Sequence, residues 1–238
     1  MGSLTYCQHD GADTSVVTEQ LLCYCGVMPR PRVHDPDTVL DAVESLAVTS
    51  GLSSVTIRAV SSAVGVSNGA LYHQFGSRGG LLARAWVRAG RRFLDLQREL
   101  VDAASSGTDA IVAAAQTPAV FAEDHPASAR LVLLFPPHEI AAVGLPDELA
   151  EELDSLQKHL LTLMIELAEA AWGRRDRAAV DTVTTCIVDL PTAVLLHRDR
   201  LGDPTALRHL RAAVQAVLEI GPSPLVRRNS PTATKGAP

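Results

Sequence analysis

Cysteine is scarce in this 238-residue sequence: Cys7, Cys23 and Cys25 lie in the first 25 positions, and Cys186 stands alone inside a helical pattern. No pair reads as a disulfide framework, and the distribution fits a reducing interior. Long apolar runs are missing too. None reaches the roughly 18 residues that span a bilayer, and the start lacks the basic-then-apolar order of a signal peptide, so the expectation is a cytoplasmic protein without membrane contact. Repeats of fixed period are absent.

Positive charge is also in short supply. With 27 Asp and Glu against 21 Lys and Arg, the chain carries a formal net charge of −6, which excludes a protein that coats nucleic acid or acidic membrane over its whole surface. The charge is uneven, however. Residues 30–100 hold nine Arg and six acids, a balance of +3, and the remainder carries −9. The asymmetry allows nucleic-acid contact by the N-terminal third.

Recognisable metal or catalytic spacings are lacking. His125, His138, His159, His197 and His209 form no His-Glu-x-x-His pattern, and Cys23-x-Cys25 supplies half of a tetrahedral site with no well-spaced partner. No metal, no cofactor and no catalytic residue is expected, and the chain is not read as an enzyme.

What the sequence does contain is helix. Ala, Leu, Val, Glu and Arg fill periodic segments that Gly and Pro punctuate, and 47% hydrophobic residues suffice for a sizeable core. Residues 1–29 show no sustained periodicity and are expected to be disordered; Met28, just before a strong helix start, is a candidate natural initiator that would make residues 1–27 an artefact. Residues 221–238, with four prolines, are expected to form a disordered tail.

Asp35 and Pro36 signal a first helix whose apolar face is Val39, Leu40, Val43, Leu46 and Ala47 and whose exposed face carries Asp37, Asp41 and Glu44. Thr56 caps a short second helix that ends at Gly65, and Ser67 caps a short third one, NGALYHQF, after only a Gly-Val turn. Ser77 begins a fourth helix, long enough to leave this unit, on which Arg84, Arg88, Arg91 and Arg92 make a solvated side. Further helices are read at 146–172, 176–200 and 203–220, with Pro191 kinking the second of these.

In the third helix, Leu71 and Phe75 point inward, Gly69, Ala70, His73 and Gln74 face away, and Tyr72 lies at the edge. A glycine at the second position of an exposed helix costs about 1 kcal/mol relative to alanine, and close approach of another surface explains it. The run TIRAVSSAVGVSNGALYHQFGSRGGLL, within residues 36–82, resembles the helix-turn-helix of the TetR family of bacterial transcriptional regulators, with its capped second helix, Gly-Val-Ser, aromatics and Ser-Arg at matching positions.

The resemblance implies an all-α fold in which an N-terminal three-helix helix-turn-helix DNA-binding domain (residues 30–78) is joined by a long helix to a C-terminal helical ligand-binding and dimerisation domain (residues 79–220). It implies a homodimer on a palindromic double-stranded operator, acting as a repressor that a small-molecule effector releases; the alternative is a ligand-binding or interaction protein of the same fold that has lost operator binding. Tyr72, His73, Thr56 and Arg78 are then phosphate contacts, Ser67 offers hydrogen-bonding groups at the helix start, and Asn68, Gly69, Ala70 and Arg58 are candidates for reading bases. Phe121, Leu134, Phe135, Leu163, Met164 and Leu167 are candidates for the ligand pocket. Two positions depart from the family pattern: many members carry Lys where Asn68 stands, and Gly79-Gly80 predicts a soft first turn of the fourth helix.

Overall fold

Each of the first four helices begins on a side chain that caps it, as the sequence suggests. The computed structural model describes residues 35–142 and 144–225. The expectations for residues 1–29, for Cys23 and Cys25, and for the tail beyond residue 225 lie outside the described residues. Helix α1 (Pro36–Ser50) starts with Pro36 in its first turn while the Asp35 carboxylate accepts from Asp37 N at 3.1 Å. A 3₁₀ turn (Leu52–Ser54) leads to Thr56, whose hydroxyl accepts from Ala59 N and caps α2 (Ile57–Val64).

Gly65 closes α2 in the left-handed region at φ 71°, a conformation that costs a side chain with a Cβ but not glycine. Ser61 Oγ donates across the turn to Val66 O at 2.6 Å, and Ser67 then caps α3 (Asn68–Phe75). Ser77 caps α4 (Arg78–Asp102) by accepting from Gly80 N.

Two apolar clusters organise the rest. In the first, Val39, Val43, Val60, Leu71, Phe75, Leu82 and Trp86 of α1–α4 pack with Leu131 of α6 (Pro126–Leu134), Ile140 of α7 (Pro137–Ala141) and Leu149, Leu153 and Leu156 of α8 (Asp147–Trp172). The helix-turn-helix therefore shares its core with later helices. The second cluster joins α5 (Gly107–Asp124), the C-terminal part of α8, α9 (Arg177–Thr184) and α10 (Pro204–Ile220). Val183, Ile187, Leu210 and Val214 are buried in it, and Val180, Leu190, Val194, Leu207, Val217 and Leu218 pack against it, so the apolar faces of the last two helical segments are covered largely by their own chain.

Four expectations are corrected. Glu44 is not on a solvated face: it is 3% exposed and bonded to Arg88 and Ser128. Arg88, expected among solvated arginines, has its side chain 12% exposed. Gly79 and Gly80 are buried, and a Cβ on Gly80 would lie 2.2 Å from Phe75 O, so this pair is a close-packed joint between α3 and α4. Pro191 does not kink a continuous α-helix; the chain passes into π-type turns at Thr185–Asp189 and Thr192–Leu196. Proline lacks the N–H that an α-helix needs, and these wider turns flank it.

Within Arg177–Leu196 an 18-residue window has a mean hydropathy of 1.5, long and apolar enough by length and composition to cross a membrane, which corrects the expectation that no such stretch is present. Averaging explains the difference, because Asp181 and Asp189 interrupt the apolar run without lowering its mean enough. Its Ala179, Val183, Cys186, Ile187 and Leu195 lie in the second cluster.

Candidate functional site

The two inward residues of α3 hold the helix in place while its remaining surface is left to solvent. Leu71 and Phe75 are buried, each contributing about 1.5–3 kcal/mol through the apolar surface it removes from water. Ser67, Asn68, Gly69, Ala70, Tyr72, His73 and Gln74 are all exposed. Tyr72 shows 55% of its surface, which is unusual for so large a ring. Thr56 and Arg58 are exposed beside them at the start of α2.

Gly69 has no internal reason to be glycine. Among the described residues a Cβ built on it meets nothing within 4 Å, and its φ is not in the left-handed region. It thus keeps a patch of bare backbone open to whatever approaches α3 from outside. Gly80 is the contrasting case, with Phe75 O occupying the space where its side chain would be.

Behind α3, a cluster of charges ties α1 to α4 and α6. Arg88 of α4 donates to Asp37 at 2.7 Å, to Asp41 at 2.6 Å and to Glu44 at 2.6 Å, all on α1. Ser128 of α6 donates to the other Glu44 oxygen at 2.5 Å. Burial pulls the Arg88 pKa down, but its bonds to Glu44 and Asp37 outweigh that and hold it above the ordinary value; hydrogen bonding to Arg88 holds the Asp37 carboxyl below its own. A buried carboxylate is tolerable here because both oxygens have donors.

A cavity of about 360 Å³ lies at the seam of the two apolar clusters, with Trp86 and Leu156 from the first and Ile187 from the second in its wall. Val132 and Leu133 of α6 line it as well, only one helical turn beyond Ser128. None of its lining side chains is Asp, Glu, Lys, Arg or His. Trp86 is anchored by its indole N–H, which donates to Phe135 O at 2.8 Å.

Gln97 is the polar exception buried in this wall, 1% exposed. Its position follows from Pro118 of α5, which lacks the N–H that would bond the Ala114 carbonyl four residues earlier. Gln97 Nε2 donates to that carbonyl at 3.1 Å instead. The bond fixes which end of the amide is oxygen, and Oε1 is left without a partner among the described residues. An unpaired buried acceptor costs about 1–3 kcal/mol.

Residues 39–85, from α1 into α4, match the family model described as "Bacterial regulatory proteins, tetR family". This segment belongs to the TetR family. Over 67 residues the chain is 37% identical to the HTH-type transcriptional regulator AlkX of Mycobacterium tuberculosis strain ATCC 25618 / H37Rv, a match covering 28% of this chain and 32% of that protein. The chain thus spans about a third of the length of this curated relative. Beyond the N-terminal domain the likeness is one of fold. The ketosteroid transcriptional regulator KstR2 of Mycobacterium tuberculosis superposes with a TM-score of 0.60 at 17% identity, over 82% of this chain and 98% of that one. FadR of Bacillus subtilis, solved in complex with stearoyl-CoA, gives 0.57 at 15% identity, over 78% and 97%.

The residues expected at DNA are all exposed except Arg78, which is half-buried. Arg78 donates through Nε to Val55 O and through Nη2 to Leu52 O, both at 2.6 Å, so much of its guanidinium braces the turn between α1 and α2. The expected pocket residues do not line the cavity. Phe121, Leu163, Met164 and Leu167 are core, and Leu134 is exposed. Phe135 is half-buried and contributes its carbonyl to Trp86. Leu163 and Leu167 border a separate cleft near the start of α5. Phe121 sits behind the wall, edge-on to Phe93 at 5.5 Å, and it is Phe93 that faces the cavity.

Sequence reasoning missed Gln97, Glu44, Arg88 and Ser128 as site residues. Gln97 was detectable in principle, since it continues the stripe Trp86, Gly90, Phe93 at helical spacing where an apolar residue is expected. The long-range pairing of Glu44 with Ser128 left no local signal. Among the described residues no group of three or more His, Cys, Asp or Glu side chains is arranged to hold a metal ion.

Proposed function

We propose that the chain is a homodimeric, sequence-specific DNA-binding repressor whose α3 enters the major groove of a palindromic operator and whose cavity takes a small-molecule effector. The division of labour is that residues 30–78 bind DNA and residues 79–220 bind effector and partner subunit. The observation that carries the DNA reading is the exposed α3 face around Gly69, an unpacked glycine on an otherwise well-packed domain. Asn68, Gly69 and Ala70 are the residues for base edges, with Arg58 at their margin; Tyr72, His73, Thr56 and Ser67 are the residues for the phosphates on either side. Arg78 contributes by holding the turn before α2 in place.

Asn68 in place of lysine weakens the salt-sensitive, sequence-independent part of binding, and an Asn side chain can pair bidentately with adenine. Two copies of α3 in a dimer then read half-sites about one helical turn apart.

Release follows from the position of α6. One side of α6 lines the cavity through Val132 and Leu133, and its Ser128 bonds the buried carboxylate that also holds Arg88 to α1. An effector that fits the cavity better when α6 is displaced weakens the Ser128–Glu44 bond and changes how α1 is set against α4. Its leverage equals its difference in affinity between the two arrangements. The fold relatives named for ketosteroid regulation and solved with stearoyl-CoA, whose acyl chain is apolar, support an effector with a large apolar part.

The test is a mobility-shift assay of the full chain on DNA from upstream of its own coding sequence, with Tyr72→Ala alongside. Retarded DNA that Tyr72→Ala weakens supports the reading; unchanged affinity in the variant removes α3 from the interface.

A further inference from the structure

The cavity wall combines two features that together select a ligand chemistry. No ionisable side chain lines it, so a carboxylate, phosphate or ammonium entering it would lose its hydration without a compensating charge. Its buried amide, Gln97, is committed at Nε2 to the carbonyl that Pro118 leaves free, and its Oε1 lies within the wall, closed to water and with no donor beside it among the described residues. Gln157 and Thr192 also line the cavity, but Gln157 is exposed and Thr192 half-buried, so both keep access to water.

We propose that the cavity selects a neutral, mostly apolar molecule bearing one hydrogen-bond donor, a hydroxyl, that pairs with Gln97 Oε1. This rests on the reading of the cavity as the effector site and narrows that reading to a chemical class. The pairing relieves the unpartnered acceptor, so a donor gains at this point what an ether or carbonyl oxygen cannot. A carboxylate is disfavoured twice, by desolvation and by facing another acceptor. Pro118 is the specificity-setting residue at one remove: by withholding an N–H from Ala114 O, it locks the amide with its oxygen unpaired.

The experiment is calorimetric titration of the full chain with 1-decanol, its methyl ether and decanoate at pH 8. The expected result is that 1-decanol binds about tenfold tighter than the ether and tighter still relative to decanoate. Gln97→Met should bring alcohol and ether to equal affinity while retaining both. Should that variant fail to fold, Pro118→Ala serves: its N–H can take over Ala114 O, freeing the Gln97 amide to donate, and the alcohol-to-ether ratio should narrow.

Equal affinity for alcohol and ether in the unaltered chain, or a preference that survives both substitutions, overturns the proposal and leaves the effector reading standing. Preferential binding of the alcohol with no change in operator affinity supports the proposed selectivity and overturns the effector reading. Failure of all three probes to bind overturns both.

Discussion

Replacing Gly69 by alanine should move stability and DNA affinity in opposite directions. The built Cβ meets nothing within 4 Å among the described residues, so the methyl group introduces no clash with them. Alanine is favoured over glycine by up to about 1 kcal/mol in a helix, and the gain near the start of α3 should lie at or below that value. In a chain of this size that corresponds to a rise in Tm of about 1–4 °C, measurable by circular dichroism or calorimetry. Against DNA the same methyl group stands where backbone and base edges must come closest. A loss of about 1 kcal/mol at each recognition helix, incurred twice in a dimer, lowers operator affinity about 30-fold by fluorescence anisotropy. A Gly69→Ala protein that gains stability and binds operator as before would refute the reasoning, because the glycine would then serve neither the fold nor the interface.

Ser128→Ala leaves one Glu44 oxygen buried without its donor and should cost about 1–3 kcal/mol in urea unfolding, with operator affinity changed as well; a Glu44/Ser128 double-mutant cycle that shows no coupling would contradict the bond. Arg78→Lys cannot reproduce the two-carbonyl brace, so it should lower Tm while leaving the salt slope of DNA binding intact, whereas loss of a phosphate contact would be seen in that slope. On acidification, Asp176 is informative: hydrogen bonding from Arg174 holds its pKa at about 2, against 3.8 for the free carboxyl, so its contribution is complete above about 4 and is lost as pH falls from there towards 2. Asp37 acts in the same direction through Arg88, and the urea midpoint should decline across this window, less steeply in Asp176→Asn. Cys186, buried and with its thiol pushed up to about 11 by desolvation, should remain unalkylated by iodoacetamide at pH 8 until the chain is unfolded, as read by site-resolved mass spectrometry.

The features that were legible in the sequence are the local ones. Caps at Asp35, Thr56, Ser67 and Ser77 act within three residues of themselves, and each sits where the sequence suggests. The inward pair Leu71 and Phe75 follows from helical spacing alone, as does the outward set around Gly69. Spacing could not reveal which partner meets a residue far away in the chain. Glu44 looks like a solvent-facing acid because the arginine and serine that enclose it lie on α4 and α6.

The cavity was harder to read for a related reason. Phe121 and Met164 are as apolar as the residues that line it, and apolarity does not distinguish a residue that fills the core from one at the edge of a space. Only Gln97 carried a distinguishing mark, a polar residue within an apolar stripe, and its meaning depended on a proline 21 positions later. The π-type turns flanking Pro191 likewise leave no mark in the spacing of the sequence, which suggests a simple kink.

Hydroxyl-radical footprinting of DNA from upstream of the coding sequence tests the central claim most directly. The full chain should protect a two-fold symmetric site with half-sites about one helical turn apart, and Asn68→Ala with Tyr72→Ala should abolish that protection without lowering Tm. Protection that persists in the double variant, or none at any upstream sequence, would contradict the assignment of α3 as the DNA-reading element.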